Sequence, residues 1–336
     1  MGALQSLPVD EIVRRGSIKD IDVRNFRAAT YKYGVTADDA EILFRANESC
    51  PIQDPSWARF FIAAISDYLI NRVEPEGYLT AEKGAWLIAR LSRGEWVRTK
   101  TEIELLLEVL EKSRWSPASL VRFALSQVSH AVFDGSGPLR GGQMRETGCI
   151  REHEVEFIRR VVYAFGGDGC VGITRAEAEV LFDIDGALSQ YAAIPAWTDF
   201  FVKAILNVVM ASAGYAVPPR ELALQRDPAI PGDADLRGWA GAPLLSVATS
   251  SLDSVWDLYT EQSAEHRALA RLERQRIEII TNEEITEGEA DWLAARLGRD
   301  GRLTANQTAL VVYLLRRSPN VPAVLGKRIA VLAAAA

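Results

Sequence analysis

The sequence predicts an all-α fold: two tandem, diverged helical repeats built of helix–loop–helix units, with a long insertion in the second. Three observations carry this reading. First, the stretch from Asp54 to Ile65, which opens Asp-Pro-Ser-Trp, returns as Ile194 to Ile205, which opens Ile-Pro-Ala-Trp. Its matched residues Trp57/Trp197, Phe60/Phe200, Phe61/Phe201, Ala64/Ala204 and Ile65/Ile205 fall at i, i+3, i+4, i+7 and i+8, the apolar stripe of a buried helix. Both copies place Pro at the first turn, where its missing N–H is no loss. Second, a capping signature recurs at helix starts: an apolar residue, then Thr, then an acid or amide three positions on. It reads Val35-Thr36 with Asp39, Ile173-Thr174 with Glu177, Ile285-Thr286 with Glu289, and Leu303-Thr304 with Gln307. Leu79-Thr80 keeps the first half, and Val97 with Thr99 and Glu102 is shifted by one. In such a box the Thr hydroxyl accepts from the third N–H while the acid or amide bonds back to the Thr backbone. Third, apolar periodicity is helical nearly throughout, and six such starts give three helix–loop–helix units per copy.

Taken in order, residues 1–22 form a lead-in, a short helix and loop containing Pro8 and Arg14-Arg15-Gly16. The first repeat covers 23–130 and opens with Val23 to Gly34. Its counterpart is Val155 to Gly166, where Tyr31 matches Tyr163 and Tyr33 matches Phe165; Gly16-Ser-Ile18 and Gly148-Cys-Ile150 precede the two at the same distance. The capped stretches ending at Phe44 and Phe182 follow, the second preceded by the extra residues Gly167 to Gly172. After the Trp helices come Leu79 to Leu91 and Ile285 to Leu297, which match Trp86 with Trp292. A last helix, Thr101 to Ser113 or Asn306 to Ser318, is closed by Pro117 or Pro319. Between the copies, residues 131–150 form a linker with a Gly-rich turn from Asp134 to Gly142. The second repeat covers 151–330 and contains an insertion arm at 212–278 that the first lacks.

With 336 residues the chain has length for two cores. A net charge of −7 without a Lys/Arg cluster argues against nucleic-acid binding. Cys50, Cys149 and Cys170 are too few to staple a chain this long, which predicts a reduced compartment. The N-terminal residues lack the apolar core of a signal peptide, and the longest apolar tract, Phe200 to Val217, is broken by Lys203 and Asn207. A cytoplasmic protein with no membrane contact is expected. The excess of Arg over Lys and the abundant Ala point to a high-GC bacterial source.

A helix, a loop ending in apolar-Thr and a second helix with an acid at its third position resembles the EF-hand, and the two-copy array looks like that superfamily in degenerate form. The Asp300-Gly-Arg-Leu-Thr304 turn is also similar to that of TerB-type helical domains. The EF-hand resemblance implies short strand pairing at the apolar residue and calcium held by the closing acid. The loops match this ligand pattern poorly. The loop before Leu79 is bracketed by Arg72 and Lys83, and the one before Leu303 ends in Gln307. The loop before Ile285 supplies Glu278, Asn282 and Glu289. The best, Gly166 to Glu177, offers Asp168 and Glu177 but opens on Gly. The acids are therefore expected to be helix caps, with no bound metal.

Other chemistry is sparse. His130, His153 and His266 are isolated, and there is no G-x-S-x-G elbow, phosphate loop or dinucleotide fingerprint. No catalytic residue and no cofactor is predicted. Trp57, Trp86, Trp197 and Trp292 belong to core stripes. The insertion differs: a proline-rich stretch carries Leu236, Trp239, Leu244 and Leu245, and a following helix carries Trp256 and Tyr259. Aromatic and aliphatic anchors of this kind are what interfaces use. The reading is a non-catalytic cytoplasmic adaptor or regulatory protein that binds a protein partner, or itself, through residues 215–276. The alternatives are a calcium-responsive EF-hand-like sensor and an enzyme whose site assembles only in three dimensions.

Overall fold

Several of the described helices begin where a polar side chain absorbs one of their first free N–H groups. The computed structural model describes residues 2–92, 96–141, 146–164, 173–188, 194–212, 289–299, 301–317, 327–328 and 330–331. Within them Thr36 caps α3 (Ala37–Ser49), Thr80 caps α5 (Ala81–Leu91), Thr99 caps α6 (Lys100–Lys112) and Thr174 caps α9 (Arg175–Ala187), each hydroxyl accepting from the third helical N–H. Asp54 caps α4 (Pro55–Asp67) through the Ser56 N–H at 2.9 Å, and the Ser56 hydroxyl and N–H together hold its carboxyl below the usual carboxylate range. The other helices are α1 (Val9–Arg15), α2 (Asp20–Tyr33), α7 (Ala118–Asp134), α8 (Glu152–Ala164), α10 (Pro195–Ser212), α11 (Glu289–Arg296) and α12 (Ala305–Arg317).

The fold is all-α. Among the described residues the only ladder is Ser17–Ile18 paired in parallel with Ile52–Gln53, and one further bridge joins Tyr78 to Trp115. Val35 and Ile173, which precede the capping Thr residues, lie in neither. None of the described helices is long and apolar enough to cross a membrane.

The chain divides into two compact units, 1–127 with 137–143 and 128–136 with 144–336. The division falls inside α7, short of the Gly-rich stretch where the sequence places the linker. The lead-in belongs to the first unit. Leu4, Val9 and Ile12 are buried, and the Leu4 N–H donates at 2.8 Å to Asp39, the same carboxylate that closes the Thr36 cap. Gly34 ends α2 at φ 72°, and a Cβ there would come within 2.6 Å of the Arg72 guanidinium, so the position excludes a side chain on two counts.

In the first unit α4 lies at the centre, against α2, α3 and α6; in the second, α10 lies against α8, α9, α11 and α12. Their apolar stripes explain this. Trp57, Phe61 and Ile65 are fully buried, as are Trp197, Phe201 and Ile205. The ring geometry recurs. Phe44 meets Phe61 edge-on at 5.2 Å and 86°, and Phe182 meets Phe201 at 5.2 Å and 88°. Phe44 meets Trp86 at 5.7 Å, and Phe182 meets Trp292 at 5.9 Å. One expectation needs adjustment, because Trp86 is only half-buried: its ring forms the rim of the cluster, under the Arg90 guanidinium at 5.8 Å.

Replacing Trp57 with Ala should therefore cost about 3–5 kcal/mol, as deletion of a large buried aromatic does. Trp86→Ala should cost less than half of that, and urea unfolding of the two variants measures the difference.

Candidate functional site

The residues that the sequence marks for partner binding, Leu236, Trp239, Leu244, Leu245, Trp256 and Tyr259, lie outside the described residues, as does Asp168. Glu177 is described. It is buried at the third position of α9, where one carboxylate oxygen accepts the Thr174 N–H at 2.9 Å. That oxygen serves the helix cap. Among the described residues no three His, Cys, Asp or Glu side chains stand close enough to share a metal ion. Cys50 and Cys149 are free thiols, and burial raises the Cys50 pKa.

What the structure does bring together is a buried polar clasp beside each central tryptophan. In the first unit the Trp57 indole N–H donates to the Asn47 side-chain oxygen at 3.0 Å, and the Asn47 side-chain NH2 donates to Glu102 at 3.5 Å. The other Glu102 oxygen accepts the Thr99 and Arg98 N–H groups, so the cap of α6 is tied to α3 and α4. In the second unit the Trp197 indole N–H donates to Asp185 at 3.2 Å. Asp185 is 1% exposed and also accepts from Asn306 at 2.7 Å, Thr304 at 2.6 Å and Gln307 at 3.2 Å.

The two clasps use the same chemistry with its ends exchanged. On the central side the first unit has an amide, Asn47, where the second has an acid, Asp185. On the capping side the first has an acid, Glu102, where the second has an amide, Gln307. The exchange changes the cap. Glu102 bonds back to its own helix start, whereas Gln307, which carries a donor, turns its N–H groups to Asp185 and accepts the Gly298 N–H at 3.0 Å. The capping box expected at Gln307 is thus half-formed: its backbone N–H still donates to Thr304 at 3.1 Å. With neutral donors filling their oxygens, Glu102 and Asp185 are structural groups.

A second arrangement lies in the loop before α5. Lys83 is 5% exposed, and its ammonium donates to the carbonyls of Val73, Pro75 at 2.9 Å and Tyr78 at 2.8 Å. Burial lowers its pKa, and the Glu74 charge opposes that shift. A cation already fills the carbonyl cluster that a divalent ion would need. Arg72, at the other end of the loop, is paired with Asp67 at 3.1 Å.

Two adjoining depressions of about 280 and 410 Å³ flank the π-helical turn Tyr68–Arg72. Of their charged groups, Asp67 and Lys112 are already engaged, by Arg72 and Glu108, while Glu76 and Arg114 also line the second. Sequence reading also missed that His130, Asp134 and Ser136 meet at the end of α7, with His130 within hydrogen-bonding distance of both others. The signal was present: His and Asp at i, i+4, followed by Gly-Ser-Gly.

Two predictions follow from the clasp and the loop. Asn47→Asp sets a second carboxylate against Glu102 and should destabilise the first unit by about 3 kcal/mol, as an uncompensated buried charge does. Adding Glu102→Gln reproduces the second unit's arrangement and should recover most of the loss in a double-mutant cycle. Lys83→Met leaves three carbonyls without their donor and should cost about 2–4 kcal/mol in chemical unfolding.

No family model, no curated protein and no solved structure matches the chain.

Proposed function

We propose that this chain is a non-catalytic adaptor or regulatory protein, built from a duplicated helical unit, whose insertion at 212–278 recognises a protein partner or a second copy of itself. The supporting observation is that the polar groups beside the central tryptophans and at the helix caps find their partners within the fold. The tryptophan N–H groups, the acids of the capping boxes and the Lys83 ammonium all have internal partners. The recurring ring contacts of the two central helices favour duplication, and a duplicated core whose central polar groups are paired internally leaves distinctive recognition to the segment present in one copy only. That segment carries Trp239, Leu244, Leu245, Trp256 and Tyr259, residue types on which interfaces depend.

The remaining features of the proposal rest on composition. The net charge of −7 disfavours nucleic acid as the partner, and the free Cys50 and Cys149 thiols fit a reducing cytoplasm. Against the calcium-sensor alternative stands Lys83, whose ammonium occupies one loop, together with Glu177, which is drawn into its helix cap.

Replacement of residues 215–276 by a short Gly/Ser linker tests the proposal. Helical circular dichroism and cooperative unfolding should persist, while partner capture and self-association, followed by affinity chromatography and light scattering, should be lost. A replacement variant that binds all that the parent binds would refute the assignment to the insertion. One that fails to fold would make the arm part of the second core.

A further inference from the structure

At the C-terminal end of α7, three side chains take up the hydrogen-bond order of a nucleophile, a base and an orienting acid. His130 and Asp134 are one turn apart on the same helix face, and His130 Nδ1 lies 2.6 Å from Asp134 Oδ2. Gly135 closes the helix, its N–H donating to the Ala131 carbonyl at 3.1 Å, and turns the chain back with a φ of 65°. Gly137 follows at φ 101°. Side chains rarely adopt either conformation, so this Gly-Ser-Gly order is what lets Ser136 double back over the helix end. Its hydroxyl then lies 3.3 Å from His130 Nε2. The Gly148 N–H, donating to the Val132 carbonyl at 2.8 Å, holds the following segment against the same turn.

The chemistry follows from the two ring nitrogens. A carboxylate at Nδ1 keeps the proton there and leaves the Nε2 lone pair facing Ser136, the tautomer a general base needs. His130 is largely sheltered, its side chain 15% exposed, while Asp134 is open to solvent at 61%. Solvent around the orienting acid weakens its hold on the imidazole, so the activation is expected to be modest.

We propose that Ser136 is an acyl-accepting nucleophile, activated by His130 and positioned with Asp134, toward small esters that reach this surface turn. The inference leaves the partner-binding role of the insertion untouched, because it concerns residues outside it, but it gives the chain a catalytic activity where the adaptor reading has none. In the first step the Ser136 oxygen bonds to the ester carbonyl carbon while His130 Nε2 takes the hydroxyl proton. Collapse of the tetrahedral adduct breaks the bond to the leaving alkoxide, which receives that proton from His130. Water, deprotonated by the same nitrogen, then releases the acyl group as a carboxylic acid and restores Ser136.

The test uses the full chain with p-nitrophenyl acetate and with a fluorophosphonate probe, the adduct being located by peptide mass spectrometry. Ser136 should be modified at least about tenfold faster than the exposed Ser119 of α7, below the usual range for a positioned base because Asp134 is open to solvent. Ser136→Ala should abolish that adduct, and His130→Gln should slow it to the Ser119 rate with unchanged circular dichroism. In His130→Ala, added imidazole should restore the rate. Equal labelling of Ser136 and Ser119 in the parent would overturn the proposal without recourse to any variant. So would an undiminished rate in a folded His130→Gln protein.

Discussion

The contact on which both units depend is the hydrogen bond from a fully buried indole N–H to a side-chain oxygen on the preceding helix. Trp57 and Trp197 each bring a large apolar surface to the centre of their unit, and each must find an acceptor for one polar atom that water cannot reach. Asn47 and Asp185 supply it. Having done so, they retain further hydrogen-bonding capacity, and that remainder selects the residue three positions into a later helix. One polar atom in a ring cluster thus fixes the register of three helices: the central one, the one before it and the one whose cap completes the clasp. The aromatic contacts around it set spacing, and the clasp sets which residues face one another.

Features decided within a few residues were legible in the sequence. The Thr36, Thr99 and Thr174 boxes form as their spacing requires, because a cap needs only its own first turn. The buried stripe of α4 and α10 follows from periodicity, and Pro at the first turn marks where each begins. Features set by distant partners were not legible. Nothing local to Gln307 reveals that it would turn from its cap to Asp185, since the attraction is a carboxylate more than a hundred positions earlier. Nothing near Asp39 announces that its carboxylate would also anchor Leu4. For Lys83 the sequence showed a charge at odds with calcium; that backbone carbonyls would enclose it depends on the path of the loop. The His130 group was local yet overlooked, because a Gly-rich stretch reads first as a linker.

Lys83 and Asp185 illustrate two ways of housing a buried charge. The ammonium is surrounded by backbone carbonyls contributed by one short loop, so ordering that loop and satisfying the charge are a single event. The carboxylate is surrounded by side chains from two other helices, α10 and α12, and its satisfaction waits on tertiary assembly. Loop closure around Lys83 is consequently a local matter, while the Asp185 centre is complete only when α9, α10 and α12 have docked.

The exchange of acid and amide between the clasps bears on how two units with matching tryptophan clasps avoid mixing them. During folding, α6 could seek the partner of α12, since both present a Thr cap and an apolar face to a tryptophan cluster. Such a hybrid would press Glu102 against Asp185 in a dry interior, carboxylate on carboxylate, while its complement would set Gln307 beside Asn47 with no acid between them. Of the two wrong pairings, the charged one is the more costly. The two clasps are in this way keyed to their own units, as a lock and key cut in opposite senses.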